Sequence, residues 1–256
     1  MCTLVILRRP DHPWPVILGA NRDEMIDRPW QPPERHWPDR AETVGGLDVL
    51  AGGSWLAVNE HGVVAGILNR TGTLGPQAGR RSRGELVLEA LDHADASAAA
   101  EALAALEPRS YRPFNLIVAD NCDAFWLRHA DPTGVMPVAV KKLPLGLSII
   151  TAGDLDDTAS PRIRAYLPRF RTAPPPDPES ADWRSWETLL ADSESHVAEP
   201  TGAMNFVTPT GFGTVSSTLI ALPAIGRRGV RPLLRFAGWR PEATPWRDIR
   251  IQKSNV

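Results

Sequence analysis

The chain has 256 residues, 43% of them hydrophobic, which suits one large domain or two small ones with a substantial core. Basic side chains number 28 against 30 acidic ones, a net charge of −2, so neither nucleic acid nor another polyanion is indicated as a partner. Cys2 and Cys122 make no disulfide framework and no paired-cysteine metal motif, and the six histidines lack a His-x-x-x-His spacing, so no metal centre is expected. No basic-then-apolar leader is present and no apolar run approaches ~18 residues, so neither secretion nor a membrane span is suggested and a cytoplasmic setting fits.

The chain opens on Met1-Cys2-Thr3. Removal of Met1, favoured by a small second residue, turns Cys2 into an N-terminal residue carrying both a thiol and an amine. The two groups titrate near ~8.5 and ~8, so the amine can take or relay the thiol proton at neutral pH without a histidine. Leu4-Val5-Ile6-Leu7 reads as a buried strand, Pro10-Asp11-His12-Pro13 as a turn, and Val16-Ile17-Leu18 as a second strand. An antiparallel pair would bring Asn21-Arg22-Asp23-Glu24 back beside Cys2. The same residues also fit an ordinary buried hairpin followed by a polar loop.

Prolines 29, 32, 33 and 38 predict an irregular surface excursion. A strand over residues 48–58 follows, with Gly52-Gly53 as a bulge inside it, then a turn at Asn59-Glu60-His61-Gly62 and a strand to Asn69. His61 reads as a solvated turn residue. Ser82 with Glu85 predicts a capping box opening a helix, and an alanine-rich helix over residues 97–106 stops before Pro108. Strands are expected at 114–119, 122–127, 134–140 and 147–151, with Cys122 as a buried filler at a strand start. A helix at 160–170, a proline loop at 174–178, a helix at 183–191 and strands at 213–222 and 230–237 precede a polar tail. Helices grouped away from hairpin-linked strands give an α+β fold rather than βαβ alternation, and the proline loop reads as internal to a single domain, residues 1–256. No glycine-rich phosphate loop leads from a strand into a helix, so no nucleotide site is expected.

Several stretches taken in order carry a family resemblance. They are Met1-Cys2-Thr3, Asn21-Arg22-Asp23-Glu24, Gly52-Gly53-Ser54-Trp55-Leu56-Ala57-Val58-Asn59, Ser82-Arg83-Gly84-Glu85-Leu86, Phe114-Asn115-Leu116-Ile117-Val118 and Gly213-Thr214-Val215-Ser216-Ser217-Thr218. Together they resemble the NRDE family, whose eukaryotic members are called transport and Golgi organization protein 2. The resemblance implies an N-terminal nucleophile hydrolase-like αββα sandwich of antiparallel sheets, similar at a distance to the bile-salt and penicillin acylase branch.

In that branch a post-methionine cysteine attacks an amide, assisted by an Asp in a Gly-x-Asn-x-Asp context, here Gly19 to Asp23. The resemblance assigns Cys2 as nucleophile, Asp23 as the acceptor that orients its amine, and Asn69 as the oxyanion donor. Asn21, Arg22 and Glu24 become substrate-side residues. Arg22 suits a substrate carboxylate or phosphate and equally an ion pair with Asp23 or Glu24. Three departures stand out: Ala20 where the branch has arginine, Val215 where the family has arginine, and Ala152-Gly153-Asp154 where a second asparagine is expected. The implied activity is hydrolysis of a non-peptide amide or thioester of a small molecule, with no cofactor required. The rival reading is a non-catalytic carrier or chaperone of haem or an acyl lipid in the same pocket, with haem as a bound ligand.

Overall fold

The two N-terminal apolar runs form the expected hairpin: β1 (Thr3–Arg8) runs antiparallel to β2 (Val16–Met25), with Thr3 opposite Asn21. The turn is closed by the Arg9 N–H on the Pro15 carbonyl at 2.7 Å. β2 does not end at Leu18, and Asn21 to Glu24 are strand rather than loop. The reason lies late in the chain, where Phe212–Leu222 pairs along the whole other edge of β2. In this computed structural model, residues 2–195 and 200–251 are described. Met1, His196 and the end of the expected polar tail, with Lys253, lie outside them.

The chain divides into two compact units. One comprises Met1–Arg28, Pro144–Leu222 and Leu233–Arg250; the other comprises Pro29–Leu143, Pro223–Pro232 and Ile251–Val256.

The second unit begins with β3 (Trp30–Glu34) and β4 (Thr43–Asp48). β3 replaces the irregular excursion expected there. It is an edge strand whose register shifts between Gln31 and Glu34, the kind of place where proline is tolerated. β5 (Leu56–Asn59) and β6 (Val64–Asn69) follow. The single strand expected over 48–58 is therefore split, and Gly52-Gly53 lie in the turn between β4 and β5 rather than in a bulge. Gly52 sits at φ +72°, and its N–H donates to the Asp48 carbonyl at 2.8 Å, a geometry that glycine adopts without a Cβ penalty.

Helix α1 (Gly84–Leu91) has Arg83 at its cap, with no side-chain capping bond. The expected capping box is absent because Ser82 and Glu85 are engaged elsewhere. Ser82 Oγ accepts the Gly84 N–H at 3.3 Å, while Glu85 Oε1 takes Arg81 Nε and the Tyr111 hydroxyl, both at 2.6 Å. Helix α2 (Ala96–Ala104) is capped instead by Asp95, whose carboxylate accepts the Ala98 N–H. Both helices lay alanine and leucine onto the sheet; Leu86, Ala90, Ala99 and Leu103 share one core with Ala65, Leu116 and Leu127.

Strands β7 (Phe114–Ala119), β8 (Ala124–His129) and β9 (Ala139–Lys142) complete an antiparallel sheet in simple chain order. β9 starts later than expected because the Asp131 carboxylate draws the N–H groups of Thr133, Val135 and Met136 into a turn, each at 2.9 Å. Cys122 is exposed in the turn before β8, not buried in it; Asp120 Oδ1 accepts its N–H at 2.7 Å. His61 is exposed in its turn, where it meets Glu42 at 2.8 Å.

The chain then returns to the first unit with β10 (Gly146–Ile150), α3 (Pro161–Thr172), α4 (Arg184–Ala191), β11 (Phe212–Leu222) and β12 (Leu233–Gly238). A short β13 (Arg247–Ile249) forms where only a polar tail was expected. The sheet order is β10-β1-β2-β11-β12-β13, antiparallel throughout. α4 lies against β2 at Gly19: a Cβ there would come within 3.1 Å of the Trp186 ring. Phe170 of α3 packs edge-on to Trp186 at 5.3 Å. Among the described residues, no helix is long and apolar enough to cross a membrane.

Candidate active site

Side chains alternate across a strand, so Gly19, Asn21 and Asp23 share the face of β2 that meets α4, while Ala20 and Arg22 take the other. By the register of the hairpin, Thr3 belongs with Asn21 and Asp23, and Cys2 falls on the parity of Arg22. Cys2 sits just before β1 and is half-buried. Its Sγ lies against the Asp23 peptide: the Asp23 N–H donates to it at 3.4 Å, and the thiol donates to the Asp23 carbonyl at 3.6 Å. Burial pushes this thiol above its ordinary pKa, and the Asp23 charge adds to that.

The Asp23 side chain is buried and held at both oxygens. Arg162, at the start of α3, donates from Nη1 to Oδ2 at 2.8 Å, and the Thr214 hydroxyl lies 2.9 Å from Oδ1. The same Arg162 Nη1 reaches Thr3 Oγ1 at 2.8 Å, and its Nε and Nη2 donate to the Thr201 carbonyl at 3.2 and 2.8 Å. This guanidinium is itself 2% exposed and lies over the Phe206 ring at 5.1 Å. Charge-assisted bonds of this kind are about twice as strong as neutral ones. Neither the Arg162 partnership nor that of Thr214 was read from the sequence.

A β-bulge makes the second of these contacts possible. Thr214 pairs with Asp23 and Ser217 with Asn21, so four residues of β11 face three of β2, and the register shifts between Thr214 and Ser216. Without one extra residue, Thr214 and Ser217 would point to opposite faces. Val215 lies within that shift; its carbonyl accepts the N–H groups of Trp239 at 2.8 Å and Arg240 at 3.3 Å. Arg240 Nη1 also donates to Asn205 Oδ1 at 2.8 Å and to the Thr214 carbonyl. Val215, where the resemblance implied arginine, is thus a buried bulge residue with Arg240 laid along it.

The remaining expected residues separate by role. Asn21 is buried; its amide donates to the Leu190 and Met204 carbonyls at 2.9 and 2.8 Å, and its oxygen accepts from Ser217 at 2.5 Å. Both amide hydrogens of this expected substrate-side residue thus have partners within the protein. Arg22 is buried at 4% exposure on the parity of Cys2. Glu24 accepts the Met25 N–H at 2.9 Å and meets Arg28 at 3.8 Å, near the end of β2. Asn69 closes β6 in the other unit, opposite Phe114 and half-buried. After β10, Gly153 and Asp154 stand where a second asparagine was sought. Among the described residues, no three histidine, cysteine or acidic side chains gather as a metal would need.

Three comparisons bear on this arrangement. Among solved structures, a conjugated bile acid hydrolase from Clostridium perfringens superposes with a TM-score of 0.58 at 10% identity, over 99% of this chain and 94% of that one. Penicillin V acylase from Agrobacterium tumefaciens gives 0.57 at 14% identity over 97% and 86%. A Caenorhabditis elegans N-acylethanolamine-hydrolyzing acid amidase ortholog gives 0.57 at 13% over 88% and 94%. The fold is therefore that of the N-terminal nucleophile hydrolases, α+β with two antiparallel sheets, as the family resemblance implied. In sequence, the chain is 36% identical over 110 residues to the Bos taurus transport and Golgi organization protein 2 homolog; that match spans 41% of this chain and 38% of the bovine one. Residues 1–173 match the family model described as Transport and Golgi organisation 2, and the chain belongs to that family.

Proposed function

We propose that the protein is a cysteine N-terminal nucleophile hydrolase that cleaves a non-peptide amide, or a thioester, of a small molecule. The observation carrying this reading is the seat of Cys2: its sulfur lies against the Asp23 peptide at the start of a central strand, and the carboxylate of that same residue is fixed at both oxygens. The fold shared with amide-cleaving enzymes supports it.

After loss of Met1, the Cys2 amine takes the thiol proton as Sγ bonds to the substrate carbonyl carbon. The need for that base follows from the thiol's raised pKa, which leaves little thiolate at neutral pH. The C–N bond breaks as the amine returns the proton to the leaving nitrogen. Water then attacks the thioester, losing a proton to the same amine, and the acid product departs with the thiol restored. Asp23 orients the amine, and a donor to the developing oxyanion is worth about 3 kcal/mol of barrier. Arg22, buried on the parity of Cys2, favours substrates carrying a carboxylate or phosphate. This chemistry requires no cofactor.

Cys2→Ser tests the reading. It keeps the amine and nearly the same volume but is a far poorer nucleophile. Turnover of N-acyl and thioester substrates should fall by ~10³-fold or more while ligand affinity changes little. A carrier that ligates haem through Cys2 would instead lose haem affinity and its absorption band. Undiminished hydrolysis in the variant sinks the proposal.

A further inference from the structure

We propose that Arg162 is the positioning residue of the cysteine site, clamping the Asp23 carboxylate to Thr3 and balancing its charge beside Sγ. The inference rests on the hydrolase reading for its catalytic meaning and on geometry for everything else. One nitrogen, Nη1, bridges Thr3 Oγ1 and Asp23 Oδ2, each at 2.8 Å, so the residue next to the nucleophile and the carboxylate share a donor. The other two nitrogens hold the Thr201 carbonyl, which fixes the guanidinium's plane. A guanidinium can serve three acceptors in this way, whereas an ammonium cannot hold the same planar fork.

Both side chains of the pair are essentially closed to water, at 2% and 0% exposure. A carboxylate so placed would act on the nearby thiol with little screening, and its charge does oppose thiolate formation at Cys2. Arg162 supplies the opposite charge at hydrogen-bond distance. It does not touch the reacting sulfur; it acts through Asp23.

The coupling is measurable without a substrate, from the rate at which iodoacetamide alkylates Cys2 in the folded protein, followed by intact mass at pH 7.5 with the exposed Cys122 replaced by serine in every variant. Arg162→Met should slow alkylation about tenfold, the change in thiolate fraction for one pKa unit, because the Asp23 charge is left unbalanced. Asp23→Asn should react faster than the parent, and adding Arg162→Met to it, which removes both charges, should return the rate to within about threefold of the parent. Arg162→Lys, which restores the charge, should stay within about threefold of the parent.

A merely structural role predicts the opposite sign: loosening the N-terminal strand exposes the thiol, speeds alkylation, and does so whether or not Asp23 is present. Faster alkylation in Arg162→Met, or a double variant as slow as Arg162→Met alone, overturns the proposal. If the methionine variant does not fold, Arg162→Gln, which keeps a donor toward Thr201, carries the same comparison. Because alkylation reports the thiol alone, hydrolysis that survives Cys2→Ser would remove the hydrolase reading while leaving this coupling measurable.

Discussion

Two stretches of this chain carry equally distinctive sequence patterns, and the structure gives them opposite work. Asn21-Arg22-Asp23-Glu24 is polar yet largely buried, and its side chains act through directed bonds to Leu190, Met204, Thr214, Arg162 and Ser217. Gly52-Gly53-Ser54-Trp55, with Ser82-Arg83-Gly84-Glu85, acts through the absence of side chains. A Cβ on Gly53 would lie 2.4 Å from the Gly84 carbonyl carbon, and one on Gly46 would lie 2.1 Å from the Trp55 ring. Ser54 closes the arrangement: its N–H donates to the Gly84 carbonyl at 3.0 Å and its hydroxyl to the Gly46 carbonyl at 2.8 Å. A distinctive motif therefore marks either a chemical site or a place where backbones must touch, and the residue types decide which. Buried charge and amide need partners; paired glycines need space.

The contrast breaks most visibly at Gly53. Gly53→Ala sets a methyl against backbone, which cannot swing aside, so a loss of about 3 kcal/mol is expected. Gly52→Ala, one residue away, meets no atom within 4 Å but holds φ +72°, and should cost only about 1 kcal/mol. Urea midpoints at constant m-value give both numbers. Equal losses would mean that close approach is not what this motif encodes.

The polar stretch is sharpened by Asn21→Ala. The change strips partners from two buried carbonyls and from Ser217, and should cost about 2 kcal/mol. Its signature differs from that of the glycines, because Asn21→Ser, small and still polar, should recover part of the loss. If alanine and serine are equally damaging, the amide's bonds are not what stabilises the strand.

The smallest effect tests whether a buried titratable group outside the proposed chemistry behaves as burial alone dictates. His129 of β8 is 1% exposed, with its ring edge-on to Phe114 at 5.6 Å. Burial pushes its pKa down, so the folded chain keeps it neutral while the unfolded chain takes a proton. Stability is thus fully present above the unfolded value near ~6.5 and falls as pH drops through it, by at most about 1.4 kcal/mol per pH unit. The loss ends below the folded pKa. His129→Phe should flatten the change in urea midpoint between pH 7.5 and pH 5.5. A slope that survives the substitution assigns the titration to another group.

Much of this was open to reading from residues in order, because it depends on neighbours in the chain. The N-terminal hairpin follows from two β-prone runs around Pro10 to Pro13, and with it the approach of Asp23 to Cys2, now seen at 3.4 and 3.6 Å. The alanine-rich helix and its end before Pro108 follow from propensity and a missing N–H. Readings that failed did so where a distant element intervened. Ser82 resembles a helix cap, but Glu85 is drawn to Tyr111, 26 residues away. Asn21 resembles a loop residue, until β11 pairs with it from 196 residues downstream.

What the sequence by itself determined is the closeness of three groups along one hairpin: the Cys2 thiol, the Asp23 carboxylate and the Arg22 guanidinium. What only the tertiary structure decided is the state in which those groups are held. Arg162 lies 139 residues from Asp23 and Thr214 lies 191 away, and no local periodicity links them. Thr214 reaches the carboxylate only because one extra residue in β11 corrects the parity of the strand, a feature set by pairing between strands and invisible in either one alone. Burial, which raises the pKa of the Cys2 thiol, is likewise a property of everything packed around it. Covalent order supplies the groups, and long-range packing sets their charge, direction and access to water.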